Sequence, residues 1–310
     1  MSGSSIVDAA TVVAELGPMA RPDVPLAPLT TYRVGGAALA LAAPASLDDL
    51  ERIAEVARRH GLPTLVVGRG SNMLVADAGF RGIAFTLNAM GEDIRIDGAT
   101  VTVSGGSALP VVARRVSGAG LTGFEWAVGV PGSIGGAVRM NAGGHGSDLA
   151  ASLVGVRVLD LRSGEDGEVP VAALDLSYRH SNVAPHQLVV SAELALAAGD
   201  RASSEAEIAE VVRWRREHQP GGPNAGSVFT NPPGDSAGRL IDAAGLKGAR
   251  LGTAEVSTKH ANFIQADEGG SADDVFAVMA LVRTTVRDRF GVDLHPETRL
   301  VGFLAEPGAR

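Results

Sequence analysis

Cysteine is absent from this chain of 310 residues, which removes disulfides, thiolate metal sites and cysteine nucleophiles together. No metal site is expected, and any redox chemistry must belong to a bound organic cofactor. No apolar run reaches the roughly 18 residues of a membrane-spanning helix. Residues 1–16 lack the basic and apolar blocks of a secretory signal, so a cytoplasmic location is expected. Positive charge is in deficit: the formal net charge is −8, which offers no bulk attraction to nucleic acid or to an anionic membrane. An anionic small substrate would need a local basic pocket. Lysine occurs only at Lys247 and Lys259, and tyrosine only at Tyr32 and Tyr178.

Glycine is abundant instead. Its 40 copies are spread through a chain that is 45% apolar, which implies many turns and close backbone approaches, not low-complexity disorder. Residues 46–60 read as a helix: Ser46 and Asp49 stand at capping-box positions, Leu47, Leu50, Ile53 and Ala57 share one face, and Gly61 ends it. Residues 64–67 follow as a short buried strand, and the stretch from Gly68 to Phe80 shows no helical period. An Asp97-Gly98 turn joins strand-like residues 94–96 and 101–103. A short helix is expected over 110–117, and strands over 153–159 and 188–196. Ser204 and Glu207 form a second capping-box signature, for a helix running to His218, and the composition shifts near Gly199-Asp200. Beyond that point, 236–244 and 271–290 read as helices and 261–266 and 300–303 as strands. The expected class is α+β, in three spans: 1–85, 86–199 and 200–310.

Gly68-Arg69-Gly70-Ser71-Asn72 can cradle a phosphate, because glycine lets backbone N–H groups approach an anion and Ser or Asn adds hydrogen bonds. Alone, the pattern fits a strand-to-strand turn as well. A dinucleotide fingerprint would need a third glycine at position 73 and a helix after it, but Met73 stands there, and no P-loop Gly-Lys-Ser/Thr occurs. A second glycine segment is longer: Gly129-Val130-Pro131-Gly132-Ser133-Ile134-Gly135-Gly136, then Met140-Asn141-Ala142-Gly143-Gly144. Two such loops suit one extended diphosphate ligand.

Together with Thr31-Tyr32-Arg33-Val34-Gly35-Gly36, these loops resemble the two-lobed FAD-binding domain of the vanillyl-alcohol-oxidase (PCMH-type) superfamily. The resemblance implies FAD held by Tyr32, by Gly68, Arg69, Gly70, Ser71 and Asn72, by Gly129, Gly132, Ser133, Gly135 and Gly136, and by Asn141. With no cysteine in the chain and no histidine within either loop, noncovalent FAD is expected. His145, close after the second loop, reads as a solvated loop residue.

Three further segments narrow the resemblance to the UDP-N-acetylenolpyruvoylglucosamine reductases: Tyr178-Arg179-His180-Ser181, Asn224-Ala225-Gly226-Ser227-Val228-Phe229-Thr230-Asn231-Pro232, and His295-Pro296-Glu297-Thr298-Arg299-Leu300-Val301-Gly302. The resemblance implies Arg179, a proton-donating Ser227 and Glu297 as catalytic residues, and a C-terminal α+β substrate-binding domain. It also implies NADPH as electron donor and UDP-N-acetylglucosamine enolpyruvate as substrate. The residue types suit that chemistry. Hydride addition to an enolpyruvyl CH2 leaves a carbanion beside a carboxylate, which an arginine can hold bidentately and a well-aimed hydroxyl can protonate. Arg215, Asn231 and Lys247 are the candidates for the UDP moiety. Many relatives carry lysine where Thr230 stands, and the stretch 181–212 has no long tyrosine-bearing insertion, so the shorter subtype is expected, with Tyr178 as a substrate contact. A monomer is expected. An FAD oxidase of the wider superfamily and a non-catalytic UDP-sugar-binding protein are the alternatives.

Overall fold

A computed structural model describes residues 7–308 of the chain. It begins with helix α1 (Ala9–Leu16), strands β1 (Ala20–Pro25) and β2 (Ala37–Ala42), helix α2 (Leu47–His60), and strands β3 (Thr64–Val66), β4 (Met73–Val75) and β5 (Phe80–Phe85). There follow the hairpin β6 (Ile94–Asp97) and β7 (Thr100–Ser104), helix α3 (Leu109–Gly118), strand β8 (Leu121–Thr122) and helix α4 (Ile134–Met140). Next come the short strands β9 (Gly143–Gly144) and β10 (Ser147–Asp148), then β11 (Leu153–Asp160), β12 (Asp166–Pro170), β13 (Gln187–Ala195) and β14 (Ala197–Ala198). The last part holds helices α5 (Arg201–His218) and α6 (Ala237–Ala243), strands β15 (Arg250–Leu251), β16 (Ala254–Val256) and β17 (Ile264–Ala266), helix α7 (Ala272–Phe290) and strand β18 (Arg299–Val301). Among the described residues no helix is long and apolar enough to cross a membrane.

These elements form two units, each assembled from separate chain segments. Unit 1 takes residues up to 24, 38–68 and 81–213; unit 2 takes 25–37, 69–80 and the chain from 214 onward. Unit 1 contains a four-stranded sheet of order β1-β2-β5-β3, whose core includes Leu39, Leu50, Ile53, Ile83 and Phe85. It also contains a five-stranded sheet of order β12-β11-β13-β7-β6, packed on a core with Val103, Leu109, Val112, Val156 and Leu194. Unit 2 has the sheet β15-β16-β17, helices α6 and α7, and the parallel pair β4 and β18. Its core joins Tyr32, Val34 and Leu74 to Phe229, Leu240, Val278 and Met279. Segments 25–37 and 69–80 thus group with the C-terminal part of the chain, and the division after residue 213 falls inside α5, not near Gly199-Asp200.

The helix ends have local causes. In α2, Ser46 Oγ accepts from Asp49 N at 3.1 Å while Asp49 Oδ2 accepts from Ser46 N at 3.1 Å, and Gly61 closes the helix at φ +63°. Such a cap contributes about 1 kcal/mol. Helix α7 has its own Ser271 cap and a second one from a distant loop: Asp77 accepts from Ser271 Oγ and from Ala272 N and Asp273 N.

The second capping-box signature points to the wrong residue. Helix α5 starts at Arg201, where Asp200 Oδ2 accepts from Ser203 N at 2.8 Å. Ser204 lies inside the helix, buried, and its hydroxyl donates to Glu125. Aspartate caps as well as serine, and placing the cap one turn earlier lets α5 present Ser204 to a carboxylate that is only 3% exposed. Burial pushes the Glu125 carboxyl up, but the hydrogen bonds from Ser204 and from the Gly123 and Glu125 N–H groups outweigh it and hold the group below its ordinary value. A carboxyl lowered in the folded state stabilises the protein fully above its unfolded pKa of about 4.3, and that contribution disappears as the pH falls through the lower folded value. Thermal unfolding of wild type and Glu125→Gln should therefore differ most near neutral pH, with the gap closing in acid. A gap independent of pH would assign the stability to packing alone.

Candidate functional site

In unit 2, three segments far apart in sequence lie side by side. Thr31 N and Oγ1 donate to Gly70 O at 3.1 and 3.4 Å, and Gly36 N donates to Ala76 O at 2.9 Å. On the other side of this loop and strand, β4 pairs with β18 in the register Met73↔Arg299, and Arg299 N donates to Asn72 O at 3.1 Å. The Ser227 segment adjoins in turn. Glu297 N donates to Val228 O at 2.8 Å, Thr230 N donates to His295 O at 3.0 Å, and Phe229 bridges Pro296. Ser227 and Glu297, both half-buried, are thus carried on neighbouring extended segments, with residues 69–72 at their flank.

Within this frame Gly70 is required by the protein itself. Its φ is +61°, and a Cβ there would lie 2.0 Å from Leu29 O and 2.6 Å from Thr30 Cα. Asn72 likewise has an internal duty: its Nδ2 donates to Glu297 O at 3.0 Å, so the asparagine assigned to the cofactor braces the backbone of the candidate catalytic glutamate. Tyr32 departs from expectation. Its side chain is 0% exposed among Val34, Leu74 and Phe229, and its hydroxyl has no hydrogen-bond partner among the described residues. Burial pushes its phenol well above the ordinary value. The ring anchors segment 30–36 to the core and leaves no surface for a ligand. Arg69 is exposed, and Ser71 and Asn72 are half-buried.

In unit 1 the second glycine segment is not one loop. Residues 125–129 make a 3-10 turn ending at Gly129, where a Cβ would meet the His145 ring and Val211, each at 3.0 Å. Ser133 then caps α4 by accepting from Gly136 N at 3.3 Å, so Gly135 and Gly136 lie in the first turn of a helix. Two glycines oppose a helix on propensity, and the cap together with buried Ile134, Ala137 and Val138 overrides them. Gly132 O accepts from Leu109 N at 3.0 Å, and Gly68 approaches so closely that a Cβ would sit 2.5 Å from Ser133 Oγ.

Arg179 sits at the tip of a tight turn in which Ser177 and His180 exchange backbone hydrogen bonds of 3.2 and 3.1 Å. Its φ is +55°, a left-handed backbone that costs a non-glycine residue about 1–2 kcal/mol. The guanidinium donates to Gly143 O at 3.0 Å and lies 5.3 Å from the centroid of the Tyr178 ring, which is 58% exposed. Asn141, itself left-handed at φ +38° and buried, holds this turn: Nδ2 donates to Ser177 O at 3.0 Å and to Asp148, while Oδ1 accepts from Ala150 N at 3.0 Å. Its amide is engaged within the protein, so Asn141 positions the Arg179 turn and is not available as a direct ligand. Strained backbone held by such bonds gathers at functional sites.

The residues assigned to UDP are all in unit 2 but are less clearly drawn together. Arg215 is half-buried with Nε donating to Gln219 at 2.8 Å, and Lys247 pairs with Asp242 at 2.8 Å on the surface. Asn231 Oδ1 accepts from Ala237 N at 3.0 Å and so caps α6. A partner that sequence reading misses is Asn262, buried beside the Ser227 segment; an asparagine entering a strand is disfavoured by propensity, and that is the one available signal.

A diphosphate-bearing flavin suits these residues. Among the described residues, no backbone N–H from Gly68 to Asn72 is committed to another protein group, which leaves a row of donors for an anion. No group of His, Asp or Glu among the described residues could hold a metal ion.

Comparison with known proteins agrees with this chemistry. A family model of the UDP-N-acetylenolpyruvoylglucosamine reductase C-terminal domain matches residues 217–301, and an FAD binding domain model matches residues 38–166. The chain is 42% identical, over 93% of its length and 97% of the relative's, to a UDP-N-acetylenolpyruvoylglucosamine reductase of Rubrobacter xylanophilus. It is 40% identical to that of Bacillus velezensis over 90% of its own length and 92% of the relative's. The crystal structure of the Thermus caldophilus reductase superposes with a TM-score of 0.80 at 34% identity, covering 91% of this chain and 99% of that one.

Proposed function

Because the chain belongs to the family of UDP-N-acetylenolpyruvoylglucosamine reductases, we propose that Arg179, Ser227 and Glu297 carry its reaction, with Ser227 as the proton donor. The protein is an FAD-dependent oxidoreductase of peptidoglycan precursor synthesis, reducing UDP-N-acetylglucosamine enolpyruvate to UDP-N-acetylmuramate with electrons from NADPH. The observation that supports the residue assignment best is the adjacency of the Ser227 and Glu297 segments, with Glu297 N on Val228 O at 2.8 Å.

Bound FAD, once reduced, supplies the hydride that adds to the vinyl CH2 of the substrate. The electron pair of the C=C bond then moves onto the carbon beside the carboxylate, in effect a doubly charged enolate. Arg179 holds that carboxylate and offsets the growing charge, and its strained turn fixes where the guanidinium points. Glu297 assists at the same oxygens, through a donor it holds or as the carboxylic acid itself. Ser227 Oγ–H delivers the proton to carbon and regains one from solvent. A serine hydroxyl is a weak acid, but it suffices for a strongly basic carbanion when aimed at the right atom.

Gly68 to Asn72 and Gly129 to Gly136 would hold the FAD noncovalently, chiefly through backbone N–H groups. Tyr178, Arg215, Asn231 and Lys247 would contact the substrate, the last after giving up its pairing with Asp242. We place the reaction in the cytoplasm, carried out by a monomer. The test is direct: bleach the flavin anaerobically with NADPH, then add UDP-N-acetylglucosamine enolpyruvate. Return of the flavin band with formation of UDP-N-acetylmuramate is expected. A band restored only by O2 would transfer the protein to the oxidases of its superfamily.

A further inference from the structure

The geometry points to Asn262 as the residue that positions the proton donor, by using its side-chain amide as a substitute strand neighbour for the backbone just after Ser227. Asn262 is 4% exposed, and its amide makes both bonds of a β-ladder to a single residue: Oδ1 accepts from Phe229 N at 3.0 Å, and Nδ2 donates to Phe229 O at 2.8 Å. Its main-chain carbonyl accepts from Val228 N at 2.9 Å. The N–H groups of the two residues that follow Ser227 are therefore both held by Asn262. From the opposite side Val228 O accepts from Glu297 N at 2.8 Å and Thr298 N at 3.4 Å. Upstream the chain is held less firmly, through Gly226 at φ +76° and a bond from Gly226 N to Asn224 Oδ1 at 3.0 Å. The placement of Ser227 is thus set from the residues that follow it, by Asn262 and the Glu297 segment.

No other side chain of this volume does the same. An aspartate still accepts from Phe229 N but has no N–H for Phe229 O and sets a negative charge against that carbonyl. A leucine fills the space and leaves both backbone groups unsatisfied. Either change lets the Ser227 segment shift, and displacement of a reacting group by about 1 Å can cost on the order of 100-fold in rate. Arg179 and the flavin loops lie outside these bonds, so reduction of the flavin by NADPH should not respond.

This inference rests on Ser227 as the proton donor, and the experiment separates the two. Asn262→Leu and Asn262→Asp are made alone and in a Ser227→Ala background, with flavin content, thermal stability and both half-reactions measured. Each single Asn262 variant that folds and keeps its flavin should slow reoxidation by substrate by about 10–100-fold while flavin reduction stays near wild type, and should add almost nothing once Ser227 is gone. Asn262→Asp, being isosteric, supplies the answer if the leucine variant does not fold. An effect that multiplies unchanged on Ser227→Ala, or that falls equally on both half-reactions, would overturn the positioning role. If Ser227→Ala alone leaves reoxidation unchanged, the proton-donor assignment itself is what fails.

Discussion

Ser227→Ala should reoxidise with substrate on the order of 100–10,000-fold more slowly than wild type, the range that a well-placed general acid contributes, while flavin reduction by NADPH stays nearly unchanged. The asymmetry follows from the role proposed for the hydroxyl: a proton donor has no part in electron delivery from NADPH and acts only after negative charge has formed on carbon. The alanine removes one oxygen on a half-buried segment whose backbone is held by Asn262 and the Glu297 segment, so the fold should survive. Stopped-flow absorbance of the flavin band separates the two steps. Equal loss in both would mean damage to flavin binding and would remove Ser227 from the chemistry.

Gly70→Ala should be the most destabilising single-methyl change in the loops proposed to bind flavin, and a second glycine measures why. At Gly61, with φ +63°, an added Cβ would meet nothing within 4 Å, so Gly61→Ala carries only the left-handed backbone penalty of about 1–2 kcal/mol. Gly70 has almost the same φ, +61°, but its Cβ would lie 2.0 Å from Leu29 O, well inside contact distance with backbone. The loop must therefore move off segment 29–31, breaking the bonds from Thr31 to Gly70 O. We expect a total loss of more than about 3 kcal/mol, with weakened flavin retention, against about 1–2 kcal/mol at Gly61. Denaturant unfolding of the two variants gives the difference directly; equal losses would show that the loop can relax, and that Gly70 serves a ligand more than its neighbour.

The parts of this architecture that are legible in the sequence are those whose causes lie within a few residues. Helix α2 announces itself because Ser46, Asp49 and Gly61 are its cap and stop, and the β6–β7 hairpin because Asp97-Gly98 can turn only a short way. The residues proposed to be catalytic are proposed from motifs, not from geometry. What cannot be read are pairings across long separations. The bond from Asn72 to Glu297 spans 225 residues, so Asn72 reads as a ligand of the flavin although its side chain supports the Glu297 backbone. Asn141 misleads for the same reason: its partner Ser177 is 36 residues away. Ser204 fails differently, since two competing caps, Asp200 and Ser204, stand within about one turn, and only the buried Glu125 decides between them.

The pairing of β4 with β18 also sets an order of events during synthesis. A ribosome adding about 5–20 residues per second needs roughly 10–45 s to travel from Asn72 to the residues it will contact near position 297. Throughout that interval β4, whose three residues are all buried in the folded protein, has no permanent partner. Unit 1 has no such wait beyond residue 213, so the nascent chain passes through a stage in which one unit can be folded while an apolar strand of the other is still unsheltered. Chaperone occupancy of newly made chains should accordingly centre on residues 69–80, and slowing translation should lengthen that exposure in proportion.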